Sequence, residues 1–583
     1  MKRLLLKQQL RWKPLRLKKL LRLLTLLLRL KKLLRLTLLL RLTLLLRLTL
    51  LLRLTLLLRR LLPSNSGSRN EKPAFGPGRL LTKPPQAGGF VFDSGHAQPP
   101  AAHQHRLEML TLEALVPADH LLRLIDRHIP FDFIRDATAH LYCADNGRPA
   151  VDPVQLFKML FIGYLFGIRS ERQLVREIQV NVAYRWFLGL GLTDRVIDAS
   201  TFSQNRRRRF SGSDIEQTIF DRIVEAAIEH GLIGGRVFYS DSTHLKASAN
   251  KNRHDVHRVE QTPAAYLAEL ESAIEADRAD HGKPPLPDRS DDEPPTKDIK
   301  VSRTDPEAGY MVRDGKPTGF FYLDHRTVDS RHALITDIHV TPASVHDSVP
   351  YLDRLDRMRQ RFGFEVGAVG LDAGYFTPAI CKGLNERDIY GVIGYRRPNH
   401  REGYFYKRDY VYDRQQDVYV CPNGQLLAYR TTNRQGYREY ASSPTQCAHC
   451  PMKGRCTQSA NGVKVVIRHV WEDHKEAIDA HRLTETGKRL YKRRKETVER
   501  SFADAKELHG HRYARFRGLA KVRAQALLAG ACQNMKKMAR LLARAAARLL
   551  HAFQSPRKAL RLFQIRLREL TDGLLLRSAI HHV

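Results

Sequence analysis

Three acidic residues lie where predicted elements could bring their side chains together. Asp241 follows the apolar run of RVFYSDSTHLKA, Asp372 follows that of EVGAVGLDAGY, and Glu499 lies in YKRRKETVERSFADAKELHGHRYARF. Hard cations such as Mg²⁺ prefer oxygen ligands, and two of them about 3.5–4 Å apart can activate a nucleophilic oxygen and stabilise a leaving oxygen. The three carboxylates are therefore candidate metal ligands for phosphoryl transfer, although a single Asp after an apolar run is also a common turn residue.

The two aspartates are expected at the ends of buried strands. The runs before Asp241 and Asp372 are rich in aromatic and β-branched residues, which favour strands. If these strands are neighbours in one sheet, their ends place both carboxylates at the same edge.

The glutamate is expected on a helix that crosses this edge. Residues 491–516 contain no Gly or Pro before Gly510 and are rich in helix formers, so the stretch predicts one long helix. On such a helix Glu499, Phe502 and Lys506 share one face. The alternative is a solvated charged helix with Phe502 in the core.

The intervening sequence predicts an α/β core in two parts, residues 216–403 and 471–545. GKPTGFFYLDHRTVD and ALITDIHVTPAS predict a hairpin of strands, DSVPYLDRLDRMRQRF a helix and VIGYRR a further strand. A polar, Pro-rich insert at about 280–305 predicts a disordered surface loop.

Residues 109–215 predict an all-helical domain. DPVQLFKMLFIGYLFGI and ERQLVREIQVNVAYRWFLGL have apolar residues at helical spacing, and TFSQNRRRRF predicts a short third helix. This third helix carries a basic run of four arginines, which favours a DNA-binding module. They are Arg206, Arg207, Arg208 and Arg209. The alternative is a helical bundle with a solvated basic edge.

Residues 404–470 predict a Tyr-rich, β-rich insertion. Four cysteines lie in it, with a spacing that could hold tetrahedral zinc: Cys421, Cys447, Cys450 and Cys456. The alternative is a set of reduced thiols without a metal, because the spacing lacks a second Cys-x2-Cys pair.

The charge of the chain points to a polyanionic partner. The net charge is +37, and residues 1–62 hold eighteen Lys and Arg but no Asp or Glu. We expect this Leu- and Arg-rich repeat to be low-complexity sequence outside the fold, followed by a disordered linker at 63–108; residues 546–583 predict a basic tail. A membrane-surface arm is the alternative for the first segment.

These motifs together resemble a known family. The run from Met109 to about Leu542 resembles a bacterial insertion-sequence transposase of the DDE class, which implies a ribonuclease-H-like mixed sheet flanked by helices. FYSDSTHLKA resembles the first-Asp motif of that family, VGLDAGY the second, and TVERSFADAKELHGHRYARFRGL the Glu motif. The Cys-bearing β insertion resembles that of one branch of these transposases.

The resemblance implies roles for individual residues. Asp241, Asp372 and Glu499 correspond to the catalytic, metal-binding triad, which takes two Mg²⁺ or Mn²⁺ ions. Glu496, one turn earlier, is a second candidate for the glutamate.

The family's Tyr-x2-Arg-x3-Glu-x6-Lys motif is only partly kept in this chain. Tyr491, Arg494 and Lys506 fit parts of it, but Lys495 occupies the position expected for the Arg. The resemblance therefore leaves open whether Arg494 or Lys495 contacts a DNA phosphate.

The resemblance also implies an activity and its partners. Such an enzyme binds the terminal inverted repeats of its element, cleaves double-stranded DNA at the ends and joins the 3′-hydroxyl to target DNA, as a dimer in a synaptic complex in the bacterial cytoplasm. Three alternatives remain: a decayed, inactive transposase that only binds DNA, a structure-specific nuclease, and a cationic membrane-associated protein.

Overall fold

The computed structural model describes residues 109–143, 150–210, 212–260, 266–287, 296–313, 317–396 and 401–553. All described residues belong to one compact unit, residues 106–583. The predictions for residues 1–62 and 63–108, and for most of the tail, lie outside the described residues.

Helices make up the first part of the described chain, as predicted. They are α1 (Leu112–Leu115), α2 (Leu121–His128), α3 (Phe133–Thr138), α4 (Pro153–Leu165), α5 (Glu171–Val180), α6 (Val182–Leu188), α7 (Ala199–Asn205) and α8 (Ile215–Glu229). α4 begins at a proline after the capping carboxylate of Asp152. The single helix expected from Glu171 to Leu190 is instead two, because the side chain of Asn181 accepts hydrogen bonds from the N–H groups of Ala183 and Tyr184 and starts a new helix.

A six-stranded mixed sheet forms the core of the next part. Its strands are β1 (Val237–Lys246), β4 (Gly309–Met311), β5 (Gly319–Asp329), β6 (Ile335–Pro342), β7 (Ala368–Leu371) and β8 (Tyr390–Ile393), with β2 and β3 outside it. The order is β4-β5-β1-β7-β8, and β6 also pairs with β5. β1, β7 and β8 are parallel, whereas β5 is antiparallel to β1, β4 and β6.

β1 is longer than predicted. Asp241 was expected at the end of this strand but lies in its middle, opposite Arg326 of β5. The ladder with β5 continues to the pair Lys246 and Phe321, so the polar residues after Asp241 still satisfy their backbone groups within the sheet.

The insert predicted to be disordered is partly ordered. β2 (His254–Glu260) and β3 (Thr296–Ser302) pair as a separate antiparallel ribbon, so the expectation of disorder is wrong for residues 296–302. Backbone hydrogen bonds along the whole of β3 are the physical reason. Helix α9 (Leu267–Asp280) lies between the two strands in sequence, and residues 288–295 are outside the described part.

The region from 404 to 470 contains an antiparallel sheet of five strands, so its β-rich character is confirmed. The strands are β9 (Val411–Asp413), β10 (Val418–Val420), β11 (Leu426–Thr432), β12 (Tyr437–Ser442) and β13 (Val465–His469), in the order β13-β12-β11-β10-β9. Before it lie α10 (Tyr351–Phe362) and α11 (Pro378–Glu386), and within it α12 (Pro444–Ala448) and α13 (Lys453–Cys456).

The long helix predicted for residues 491–516 is broken, so that prediction is wrong. Four helices follow the insertion: α14 (Glu472–Leu483), α15 (Glu485–Arg493), α16 (Val498–Leu508) and α17 (Leu519–Phe553). Between α15 and α16 the chain makes a 3₁₀ turn and then leaves helical geometry at Thr497, with φ −109° and ψ −92°. The Thr497 hydroxyl donates to the Arg493 carbonyl at 2.9 Å, and such local bonds compete with a continuous helix.

Helix α17 joins the two parts of the described chain. It packs against α2, α4 and α8 of the helical region and against β6 of the sheet. Its central residues, among them Ala526, Ala529 and Met535, are buried in the main hydrophobic core. None of the described helices is long and apolar enough to cross a membrane.

Candidate active site

The three predicted carboxylates converge on one guanidinium group. Arg494 Nη2 donates to Asp241 Oδ2 at 2.6 Å, and Arg494 Nη1 lies 3.9 Å from Glu499 Oε1. Burial opposes the charge on Arg494, but Asp241, Tyr491, Asp372 and Glu499 outweigh it, so that its pKa is raised. The fold thus gathers a strand residue, a strand-end residue and a helix residue around one buried cation.

Asp241 is more buried than Glu499. Its side chain is 19% exposed, against 45% for Glu499. The pKa of Asp241 is raised to about 6, because burial and the negative charges of Asp372 and Asp347 together outweigh the opposing effect of Arg494. The environment therefore favours a bound cation beside Asp241, because a cation offsets both burial and repulsion.

Asp372 is positioned by the turn that follows β7. Its side chain accepts a hydrogen bond from the Gly374 N–H at 2.6 Å and caps the 3₁₀ turn Ala373–Tyr375. One carboxylate oxygen is engaged in this way, which fixes the side chain at the edge of the sheet where the expectation from sequence placed it.

The structure distinguishes Arg494 from Lys495. The side chain of Arg494 is 7% exposed and lies among the carboxylates, whereas Lys495 is exposed to solvent. On a continuous helix, the extra residue between Arg494 and Glu499 would place the Arg494 side chain away from the carboxylates. The break at Thr497 accommodates this residue, so Arg494 still reaches them. Glu496 is also exposed, and the contact with Arg494 is made by Glu499.

Tyr491 approaches the guanidinium of Arg494, and Gly394 leaves the space for its ring. Arg494 Nη1 donates to the Tyr491 hydroxyl at 3.4 Å. A Cβ atom at Gly394, just after β8, would collide with the Tyr491 hydroxyl and would lie 2.9 Å from the Ala373 N–H nitrogen. Gly394 is thus required for the close approach of Tyr491 to the turn that holds Asp372.

A fourth carboxylate, that of Asp347, lies near Asp241. The hydroxyl of Ser242 donates to Asp347 Oδ1 at 2.7 Å, and that oxygen lies 3.9 Å from Nδ1 of the buried His325. Sequence analysis missed Asp347. The signal for it was weak, since it lies in a loop after the hairpin and 105 residues from Ser242.

The helix that carries Glu499 is held to the sheet by a buried polar network. Arg326 of β5 contacts Asp324 Oδ2 at 2.7 Å, and its Nη1 donates to the Ser501 hydroxyl at 3.1 Å and to Gln533 Oε1 of α17 at 2.8 Å. His511 pairs with the same aspartate at 2.9 Å. Lys506, further along α16, is half-buried.

The donor set suits a hard cation. Asp241, Asp372 and Glu499 offer carboxylate oxygens, the donor type of Mg²⁺ and Mn²⁺. Within the described residues, no three His, Cys, Asp or Glu side chains are close enough to hold a metal ion in the observed arrangement. Arg494 contributes the positive charge among the carboxylates instead, so the residues fit the ions in the chemistry of their donor atoms but not in their observed spacing.

The predicted arginine run does not act as one surface. Arg206 is half-buried and pairs with Glu171 at 2.9 Å, and Arg207 and Arg208 are exposed. Arg209 donates to Asn205 Oδ1 at 3.1 Å and covers the ring of Tyr142. The π-helical turn Arg206–Phe210 distributes the four side chains in different directions.

The four cysteines of the insertion have free thiols. Cys421 and Cys456 pack on the aromatic cluster of the second sheet, where the Tyr410 hydroxyl lies 3.2 Å from Cys456 Sγ. Cys447 and Cys450 lie on and just after α12. In the described part of the chain these thiols do not form a set of three that could hold zinc.

Two family models match the chain. Residues 110–208 match a transposase domain (DUF772), and residues 420–539 match a transposase DDE domain. The first match covers the helical region, and the second includes Arg494 and Glu499. These matches confirm the resemblance to DDE-class insertion-sequence transposases.

One solved structure similar to the chain is a piggyBac transposase synaptic complex with hairpin DNA. It aligns over 72% of this chain and 74% of its own, at 10% identity and a TM-score of 0.28. Among curated proteins, none matches the chain.

Proposed function

We propose that this protein is a DNA transposase that cleaves its element at the terminal inverted repeats and joins the 3′-hydroxyl ends to target DNA. The observation that carries the proposal is the placement of Asp241, Asp372 and Glu499 around the guanidinium of Arg494. The two transposase matches, one on each side of the first two carboxylates in sequence, support the same assignment.

The sheet supports a ribonuclease-H-like core. Along β6-β5-β1-β7-β8, strand β5 is antiparallel to both of its neighbours, and β1, β7 and β8 are parallel; the short β4 also pairs with β5. Asp241 lies on β1, Asp372 directly follows the neighbouring parallel strand β7, and α16 brings Glu499 towards them. The proposal assigns residues 216–403 and 471–545 to this core, 109–215 to DNA binding and 404–470 to an insertion.

The residues of the site have separate tasks in this proposal. Two Mg²⁺ or Mn²⁺ ions, when bound, supply activation of the attacking oxygen and stabilise the leaving oxygen. Asp241, Asp372 and Glu499 would hold them. Arg494, which donates to Asp241 in the metal-free protein, would bind a DNA phosphate, with Tyr491 beside it.

Basic residues away from the carboxylates bind the DNA backbone. Lys495 is exposed next to Arg494, and Lys506 lies on the helix of Glu499. Arginine and lysine contacts to phosphates position a duplex without reading its sequence. We assign the duplex, as element end and as target, to this basic surface, and a dimer to the complex that holds two ends.

The test is metal-dependent cleavage and joining of a labelled duplex that carries the element end, taken from the DNA flanking the gene. Wild type is compared with Asp241→Asn and Glu499→Gln. We expect nicking and joined product with Mg²⁺ or Mn²⁺ in the wild type, and a loss of both in the variants while DNA binding persists.

Glu507→Gln is the matched control, because Glu507 is an exposed carboxylate on the same helix that pairs with Arg512. It should cleave and join like the wild type. Binding without chemistry in the wild type would favour the decayed, binding-only alternative. Cleavage without joining would favour the nuclease.

A further inference from the structure

A cavity of about 860 Å³ opens between the helical region and the segment that follows the helix of Glu499. Residues of α4, α5 and α7 form one side, and Arg515 and Phe516 the other. The lining contains two acidic residues, Glu171 and Asp198, and six arginines. The arginines are Arg169, Arg172, Arg176, Arg206, Arg207 and Arg515. Such an excess of positive charge in a concave site needs an anionic partner.

Three of these arginines are oriented by aromatic rings. The guanidinium of Arg515 lies 4.1 Å from the ring centre of Tyr164, that of Arg206 lies 3.9 Å from Phe516, and that of Arg169 lies 5.0 Å from Tyr513. A guanidinium packed on a ring has one face covered, so its N–H groups point sideways. The rings thus hold the donors in place before any ligand arrives.

Several of these donors are buried without a partner. Arg206 Nε and both Nε and Nη2 of Arg515 have no hydrogen-bond acceptor among the described residues. Burial of an unsatisfied donor is unfavourable, more so for a charged group, so each such group calls for an explanation. Burial also lowers the pKa of Arg206, with Arg207 and Arg515 repelling it and Glu171 supporting its charge.

We propose that this cavity binds a phosphate group of a DNA strand. The inference rests on the proposed function and adds a specific site to it. Arginine edges match phosphate oxygens in pairs, with two parallel N–H···O bonds. The cavity volume lies within the range of about 300–1,000 Å³ found for small-ligand sites, which leaves room for the nucleotide that carries the phosphate.

The position of the cavity gives the site a consequence for cleavage. Arg515 belongs to the segment between α16 and α17, and Lys246 of β1 pairs with that segment through Ala514. A strand held by Arg515 and Arg206 is therefore fixed to the helical region and to the strand of Asp241 at once. The cavity orients the DNA relative to the carboxylates, and the six arginines act as positioning residues.

The test measures DNA binding in EDTA, so that no cleavage takes place and the result does not depend on the catalytic proposal. Fluorescence anisotropy gives the Kd of a labelled element-end duplex between about 50 and 200 mM KCl, and the slope of log Kd against log[KCl] counts phosphate contacts at about 0.9 each. We expect Arg515→Gln to weaken binding about tenfold and to lower the slope by about one.

Arg172→Gln keeps the test decisive if Arg515→Gln folds poorly, since Arg172 lines the cavity but is exposed. It should also lower the slope. The matched control is Arg222→Gln, which removes the same charge from an exposed ion pair with Glu225 on α8. Equal Kd values and slopes in all three variants would overturn the inference while leaving the cleavage assay untouched.

A second arm identifies the source of the phosphate. Single methylphosphonate substitutions along the duplex remove one backbone charge at a time. At one position the substitution should weaken binding to the wild type but not to Arg515→Gln, because the contact is already lost. If inorganic phosphate binds to the DNA-free protein and Arg515→Gln abolishes that binding with DNA affinity unchanged, the site takes a free phosphate and the assignment to a DNA strand is wrong.

Discussion

Arg494 sets the charge balance of the candidate site. It is buried, and its pKa is raised because Asp241, Tyr491, Asp372 and Glu499 together outweigh the effect of burial. A metal ion held by Asp241, as proposed, would have the same charge sign and the same carboxylate partner as this guanidinium, so the two would compete. The side chain is therefore a counter-ion of the metal-free protein as well as a candidate DNA contact.

We predict that Arg494→Met increases the affinity for Mn²⁺ in the absence of DNA. The ion then no longer displaces a hydrogen bond to a charged group, which is worth about 1.5–3 kcal/mol, and 1.4 kcal/mol corresponds to a factor of ten. We expect a decrease in Kd of about tenfold or more by calorimetry or Mn²⁺ resonance spectroscopy. The unliganded variant should also melt at a lower temperature than the wild type and recover with Mn²⁺, because its carboxylates repel one another.

Lys495→Met is the matched control for this prediction. Lys495 is the next residue and carries the same charge, but its side chain is exposed rather than placed among the carboxylates. Its removal should change the Mn²⁺ affinity little. An equal effect of the two substitutions would mean that general charge near the site, and not the contact with Asp241, governs metal binding.

At the scale of the residue, the sequence located the carboxylates but not their surroundings. Asp241, Asp372 and Glu499 were recognisable because each follows or lies in a patterned element. The choice between Arg494 and Lys495 depends on the turn at Thr497, which a helix pattern cannot reveal. The contact between Ser242 and Asp347 joins residues far apart in sequence, and nothing local predicts it.

At the scale of the element, the strands of the core were predicted more accurately than the helix of the glutamate. Hydrophobic runs predicted β5 and β6 as a hairpin, and the pairing confirms it. The stretch from Tyr491 onward has good helix formers throughout, yet the chain turns at Thr497 so that α15 can contact β8 and α16 can contact β1. Tertiary packing decides that break, since propensity alone favours one helix.

The attachment of α16 to the sheet depends on Arg326. Its guanidinium is fully buried and joins Asp324, Ser501 and Gln533, so that β5, α16 and α17 meet at one side chain. The strand prediction gave no sign that this polar residue faces the core. Asp324 is fully buried too; its pKa is lowered because Arg326 and His511 outweigh the burial that would raise it.

We predict that Arg326→Met destabilises the protein by about 3–5 kcal/mol, because it leaves the charge of Asp324 buried with one partner fewer. The free energy of unfolding from urea titration measures the effect. Arg258→Met is the control: Arg258 pairs with Asp298 on the exposed ribbon of β2 and β3, and loss of an exposed pair costs about 1 kcal/mol or less. A small effect at Arg326 would show that the network does not hold α16 in place.

At the scale of the whole molecule, the site is assembled from distant parts of the chain. Asp241 is on β1, Asp372 follows β7, and Glu499 comes after the complete β-rich insertion. The sequence predicted these elements, but the sheet order could not be deduced from it, because pairing of β1 with β7 is a contact between distant segments. The family resemblance supplied that arrangement as an expectation.

The compact unit of residues 106–583 contains all the residues assigned to the site and to the arginine-lined cavity. We therefore predict that a chain starting at Arg106 keeps its melting temperature within about 1 °C, which corresponds to about 1 kcal/mol for a chain of this size. It should still cleave the element end with Mg²⁺. Residues 1–62 carry eighteen Lys and Arg without an acidic residue, so their removal should lower the salt dependence of DNA binding.

The same deletion separates two explanations of the basic N-terminal segment. If the segment is outside the functional fold, the shortened chain loses only sequence-independent affinity, and the ratio of affinities for element-end and unrelated duplexes rises. If the protein instead acts at an anionic membrane surface, the shortened chain loses binding to vesicles that contain acidic lipids, and DNA cleavage is absent from both forms. Vesicle sedimentation and the cleavage assay are therefore carried out on both chains. The two explanations predict opposite results, because vesicle binding depends on net charge, whereas cleavage depends on the three proposed catalytic carboxylates.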